Sequence, residues 1–206
     1  MSYNTWIHKV SRVMVKPLVN TPVTPNHLTT GRLLFGLAAA GCFVFNETNW
    51  NLIGAFCFLI SMLLDRADGE LARLSGKSSR FGAIYDLVTD GICNAALFIG
   101  VGLGQMDTNL GIWAIWMGII AGISISIILY LVIQLATEVD ASAAALDSFA
   151  GFDPDDAIAI VPIGVILGFA KWLLILAAIF TPIVAIFISR DMIKRRRQAI
   201  VDKESI

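Results

Sequence analysis

The sequence predicts an all-α polytopic membrane protein, with six transmembrane helices preceded by an N-terminal amphipathic surface helix. Three observations lead there. Of 206 residues, 57% are hydrophobic and 15% charged, with a mean hydropathy of +0.76, outside the range of ordinary soluble domains. Apolar runs recur at the roughly twenty-residue length that a hydrocarbon core about 30 Å thick requires. The cationic residues also fall almost entirely on one side of the alternating connections.

Met1 to His27 contains no uninterrupted apolar core and no small-residue cleavage site, so no cleavable signal peptide is expected and the first span itself directs insertion. Trp6, Ile7, Val10, Val13 and Met14 recur at helical spacing, with Lys9, Arg12 and Lys16 between them, until Pro17 interrupts. That is the pattern of a helix lying on a membrane surface. Residues 1–27 are therefore read as this helix and its linker. In "NTPVTPNHLTTGRL", Pro22 and Pro25 break the chain, and Thr29 or Thr30 is expected to cap the first span. Arg32, near that span's start, is expected to extend its side chain outward to the interface.

The six spans are read as Leu33 to Phe45 with uncharged flanks, Leu52 to Leu64, Ala83 to Leu103, Gly111 to Ala136, a short fifth from Ala157 to Ala170, and Trp172 to Ser189. Together they make residues 28–189 the membrane part of a single domain, with 190–206 a basic tail. With the N-terminus inside, Lys9, Arg12, Lys16, Arg32, Arg66, Arg73, Lys77, Arg80, Arg190, Lys194, Arg195, Arg196, Arg197 and Lys203 all face the cytoplasm, leaving Lys171 outside. This predicts a cell-membrane protein whose two termini and chemistry are cytoplasmic. The loop "TEVDASAAALDSFAGFDPDDA" carries Glu138, Asp140, Asp147, Asp153, Asp155 and Asp156 without Lys or Arg, and reads as a solvated connector.

A net charge of −1 gives no footprint for nucleic acid. Cys42, Cys57 and Cys93 lie in apolar runs without CxxC spacing, and His8 and His27 are the two histidines. Buried reduced thiols are expected.

The chemistry concentrates in "LLDRADGELARLSGKSSRFGAIYDLVTDG", residues 63–91. Asp65 and Asp68 are three apart and Asp86 and Asp90 four apart, so each pair shares a helix face, with Cβ atoms about 5–6 Å apart. Two unit charges about 4 Å apart repel by roughly 4 kcal/mol at an effective dielectric near 20, so bare carboxylates must take up protons or cations. All-oxygen ligation without His or Cys suits Mg²⁺ or Mn²⁺, and four carboxylates can hold two such ions. Otherwise the aspartates cap helices or pair with Arg66, Arg73, Lys77 and Arg80. A membrane cation carrier or metal-binding protein using the same carboxylates is the competing function, and it leaves Gly69, Ala72, Arg73 and Gly82 without a reason. Gly69 and Gly82 let backbone approach a ligand, and Arg73 adds a donor fork suited to phosphate. Spacing alone thus points to a diphosphate held between two helix ends.

The run Asp65, two residues, Asp68, Gly69, two residues, Ala72, Arg73, eight residues, Gly82, three residues, Asp86, three residues, Asp90 resembles the signature of the CDP-alcohol phosphotransferase family, matching eight fixed positions across 26 residues. The segment "TPNHLTTGRL" also resembles the family's usual lead-in to the first span. The resemblance implies transfer of a substituted phosphate, with release of CMP, from a CDP-linked donor such as CDP-diacylglycerol to an alcohol hydroxyl. It implies that Asp65, Asp68, Asp86 and Asp90 hold two divalent cations, Mg²⁺ or Mn²⁺, with Asp90 also the general base. By the same likeness Asp68, Gly69, Ala72, Arg73 and Gly82 bind the CDP moiety, and the protein is a homodimer. The acceptor stays open between phosphorylated polyols bound through Arg190 and its neighbours, and amino alcohols or neutral polyols bound near the acidic loop. A soluble CDP-alcohol donor with a lipid acceptor also stays open.

Overall fold

The computed structural model describes residues 12–138 and 158–204, with side chains described to 134 in the first segment and to 194 in the second. Every regular element among them is helical: α1 (Pro25–Phe43), α2 (Thr48–Ser75), α3 (Arg80–Gly104), α4 (Trp113–Glu138), α5 (Ile160–Ile166) and α6 (Ala170–Glu204), preceded by a 3₁₀ turn at Lys16–Leu18.

The first helix starts earlier than the threonines suggested. Pro25 occupies the first turn, where its missing N–H is no loss, and Thr24 is the N-cap, with its backbone N–H donating to His27 Nδ1 at 3.2 Å. Thr29 and Thr30 therefore lie inside the helix instead of capping it, with Thr29 Oγ1 3.2 Å from the Pro25 carbonyl oxygen and the Thr30 hydroxyl donating to the Asn26 carbonyl at 2.8 Å. The segment before α1 is only partly described. Trp6, Ile7, Val10 and the rest of residues 1–11 lie outside the described residues; residues 12–15 are helical. Val13 and Met14, assigned to the apolar face, are exposed, whereas Val15 is buried in a small cluster with Ala67 and Leu71 of α2.

α1 packs along both α2 and α3, α3 packs on α4, α4 on α6, and α5 lies against α2 and α6. Helices in a lipid-like setting gain little from the hydrophobic effect between themselves, so small residues that allow close backbone approach set the packing. Gly100 and Gly104 supply this on α3: a Cβ at either would run into the carbonyl oxygen of Ala40 or Phe43 on α1. Ala39, Phe43, Phe58, Leu97, Phe98 and Val101 fill the core beside that seam. Outward faces are apolar, with Phe180, Ile183 and Phe187 of α6 all exposed.

By length and composition three helices among the described residues are fit to cross a membrane, within Arg80–Gly104, Trp113–Gln134 and Ala170–Lys194. α1 and α2 are long enough but carry polar and charged residues at the end that builds the site. The fifth expected span is, among the described residues, a seven-residue helix containing Pro162, about 10 Å long at 1.5 Å per residue. The tail expected after Arg190 is a direct continuation of α6, which runs 35 residues to Glu204. The acidic loop lies almost wholly in residues 139–157, outside the described residues. Lys171 donates to Asn109 Oδ1 at 2.5 Å, so the α3–α4 and α5–α6 connections share one end of the bundle. Cys42 and Cys93 are buried and Cys57 half-buried, all as free thiols.

Candidate active site

At the opposite end, the C-terminal half of α2 and the N-terminal half of α3 face one another across α1. The turn that brings them together depends on Gly76, which ends α2 at φ 64°, a left-handed conformation that favours glycine. Ser79 then caps α3, its side chain accepting from the Gly82 N–H at 3.0 Å. With these two devices the chain reverses over four residues, and the carboxylates near the end of one helix meet those near the start of the next.

Asp65, Asp68 and Asp86 each present a carboxylate oxygen within 4.8 Å of the others. Their spread in burial is wide, from Asp68 at 4% exposed to the Asp86 side chain at 40%, so the cluster has a buried floor and an open side. Oxygen donors at that separation and of that kind fit a hard divalent cation. Asp90, one turn beyond Asp86, is joined to the cluster through Arg32.

Arg32 corrects the expectation most clearly. Its side chain is 7% exposed and points inward: Nη1 lies 2.6 Å from Asp65 Oδ1 and 3.0 Å from Asp86 Oδ1, and Nη2 pairs with Asp90 Oδ1. An arginine three residues into an apolar run looked like an interface anchor; three carboxylates on the neighbouring helices outweigh the pull of solvent. Thr29, one turn earlier on the same face, donates to Asp68 Oδ2 at 2.7 Å. Thr30 Oγ1 lies 2.9 Å from the Tyr85 hydroxyl. Sequence reasoning missed these α1 residues as site components, although their i, i+3 spacing and the segment "TPNHLTTGRL" were the available signal.

Of the cations that the alternative reading pairs with the aspartates, two make contacts elsewhere and one reaches Asp65. Arg73 Nη2 lies 3.2 Å from Glu70 Oε1, Lys77 donates to the carbonyl of Thr21 at 3.0 Å, and Arg66 approaches Asp65 Oδ2 at 4.0 Å. Gly69 sits beside the Arg73 guanidinium, and a Cβ on Gly82 would lie 3.0 Å from Asn26 Oδ1, so Gly82 faces the start of α1. Ala72 is half-buried on the same turn as Arg73. Arg190 is exposed on α6 and makes no ion pair with the aspartates among the described residues.

A helical bundle with three helices among the described residues fit to cross a membrane, and a cluster of carboxylates from α2 and α3 paired with side chains of α1 at one end, defines the class. The sequence matches the CDP-alcohol phosphatidyltransferase family over residues 22–189, and the chain belongs to that family. The archaetidylinositol phosphate synthase of Pyrococcus horikoshii is 33% identical over 92 residues, 44% of this chain and 47% of that protein. The phosphatidylinositol phosphate synthase of Mycolicibacterium smegmatis is 31% identical over 94 residues, 45% and 41% of the two chains. The CDP-diacylglycerol–inositol 3-phosphatidyltransferase of Drosophila melanogaster is 41% identical over 66 residues, 32% and 28%. The matches thus span less than half of each of these curated relatives. Among solved structures, the Mycobacterium tuberculosis phosphatidylinositol phosphate synthase with CDP-DAG bound aligns at a TM-score of 0.63 and 22% identity, over 87% of this chain and 92% of that one. The same enzyme in complex with manganese and citrate aligns at 0.62 and 22% identity, over 86% and 88%. At that identity the likeness is one of fold.

Proposed function

We propose that the protein transfers a phosphatidyl group from CDP-diacylglycerol to the hydroxyl of an alcohol, releasing CMP, at a site that holds two divalent cations, Mg²⁺ or Mn²⁺. The observation that carries this reading is the meeting of Asp65, Asp68 and Asp86 oxygens within 4.8 Å in a chain of this family.

In this reading Asp65, Asp68, Asp86 and Asp90 hold the cations. When bound, such ions neutralise charge on the diphosphate and hold the phosphorus in line with its attacker. Gly69 and Gly82 leave room for the nucleotide beside backbone, Ala72 keeps that wall low, and Arg73, already at the rim, offers its guanidinium fork to a phosphate oxygen. Asp90 removes the acceptor's hydroxyl proton as the new P–O bond forms, while the bond to CMP breaks and its electron pair leaves with CMP. The open side of the cluster, at Asp86, is where a water-soluble acceptor reaches a donor whose acyl chains stay among the apolar helices.

The same reading includes six membrane passes, an N-terminal surface helix, a cytoplasmic site and termini, and a homodimer. The distribution of Lys and Arg supports the sidedness, and the common end shared by Lys171 and Asn109 supports the order of connections. For the acceptor, the relatives named as synthases of archaetidylinositol phosphate and phosphatidylinositol phosphate favour inositol phosphate, with Arg190 and Lys194 as its anion partners. The Drosophila relative, named as an inositol 3-phosphatidyltransferase, favours neutral inositol as the second reading.

The test is CMP release from the protein in liposomes containing CDP-diacylglycerol and Mn²⁺, with inositol phosphate or inositol added singly. Release with inositol phosphate, lost in EDTA and restored by Mn²⁺ or Mg²⁺, is the expected result. Full activity in metal-free buffer sinks the two-cation part, and Mn²⁺ flux without CMP release turns the protein into a cation carrier. Arg190→Ala raises the KM for inositol phosphate about tenfold or more; an unchanged KM removes Arg190 from the acceptor site.

A further inference from the structure

We infer that Arg32 is a resident counter-ion of the carboxylate cluster, sharing with the divalent cations the carboxylates that would hold them and so limiting how tightly they bind. The inference rests on the two-cation reading above.

α1 contributes no carboxylate, yet it contacts all four aspartates. Arg32 takes Oδ1 of Asp65, Asp86 and Asp90, spanning α2 and α3 with one guanidinium, and Thr29 takes Oδ2 of Asp68. Among the neighbouring cations, Arg73 pairs with Glu70, Lys77 donates to the carbonyls of Thr21 and Val23, and Arg66 lies 4.0 Å from the other oxygen of Asp65. A guanidinium is suited to the task because its charge is spread over a planar fork, is weakly hydrated, and is not lost by deprotonation in a protein. A lysine beside an arriving divalent ion could shed its proton, but Arg32 keeps its charge and must be accommodated.

Two consequences follow with opposite signs. With the positive charge in place, the four carboxylates coexist without metal at far less mutual repulsion. The same charge repels an incoming cation and engages three of the four carboxylates the cations would use. Arg32 therefore stabilises the metal-free protein and weakens metal binding, which keeps the ions exchangeable.

The experiment is Mn²⁺ binding to the full-length protein in detergent, read from the electron paramagnetic resonance signal of free Mn²⁺, together with thermal unfolding with and without Mn²⁺. Arg32→Gln is expected to bind Mn²⁺ on the order of tenfold more tightly than the parent, and its metal-free form to melt earlier, with a larger upward shift on adding Mn²⁺. Arg32→Lys, which keeps the charge on a head group without the three-way fork, is expected to tighten binding by about threefold. A purely structural role would lower the melting temperature without tightening Mn²⁺. The inference is overturned if every folded variant binds Mn²⁺ with parental affinity or more weakly. If the parent binds no Mn²⁺ at all, the two-cation reading falls and takes this one with it.

Discussion

The two ends of the α1–α2–α3 unit are held by different forces. At one end, backbone meets backbone: Gly100 and Gly104 of α3 press against the carbonyls of Ala40 and Phe43 on α1, beside Leu97 and Phe98. At the other, side chains of α1 reach across to charge on its neighbours, with Arg32 joining Asp65, Asp86 and Asp90, and Thr29 joining Asp68. The glycine seam has one close-packed geometry, closed at its end by the Gln105 Nε2 to Asn46 Oδ1 hydrogen bond at 3.0 Å. The acidic end is held by ion pairs and hydrogen bonds that a cation or substrate can exchange. Placing rigidity about two to three helical turns from the chemistry lets the carboxylates change partners while the helix axes stay fixed.

The largest expected effect comes from the acidic end. Asp90→Asn keeps the shape of the side chain and removes its capacity to take a proton; turnover should fall by about 10²–10⁴-fold, while binding of CDP-diacylglycerol is largely retained. Normal CMP release by this variant would take Asp90 out of the chemistry. A change at the glycine seam should act on stability instead. Gly100→Leu forces bulk into the Ala40 carbonyl and should destabilise the protein by about 1–3 kcal/mol or more, seen as a lower melting temperature in detergent, whether or not Mn²⁺ is present. A melting temperature that falls only in metal-free buffer would mean the two ends are not independent. Thr29→Val sharpens the comparison at the smallest scale. It leaves the buried Asp68 oxygen short of a donor and should cost about 1–3 kcal/mol in metal-free buffer, less once Mn²⁺ engages the same carboxylate. An equal loss with and without Mn²⁺ would place Thr29 with the structural residues.

Much of this was legible in the chain itself. Apolar runs of membrane length, interrupted by Pro and Gly, define the helical class, because a bilayer leaves few other ways to satisfy the backbone. The spacing from Asp65 to Asp90 puts two carboxylates on one face of each of two consecutive helices, since i, i+3 and i, i+4 positions adjoin whatever the surroundings. Helix limits were less legible. The start of α1 is set by Pro25 and Thr24 and not by the later threonines, and the segment read as a fifth span contains only a short helix between Ile160 and Ile166 among the described residues.

What only the tertiary structure decided is the part played by α1. Periodicity within a helix says which residues share a face, but not which neighbour that face meets. Arg32 therefore read as an interface residue on local grounds, since a lone arginine in an apolar run is best solvated by reaching outward. Packed between α2 and α3, the same side chain finds three carboxylates that need a positive charge, and that need exists only when residues more than thirty positions apart are brought together.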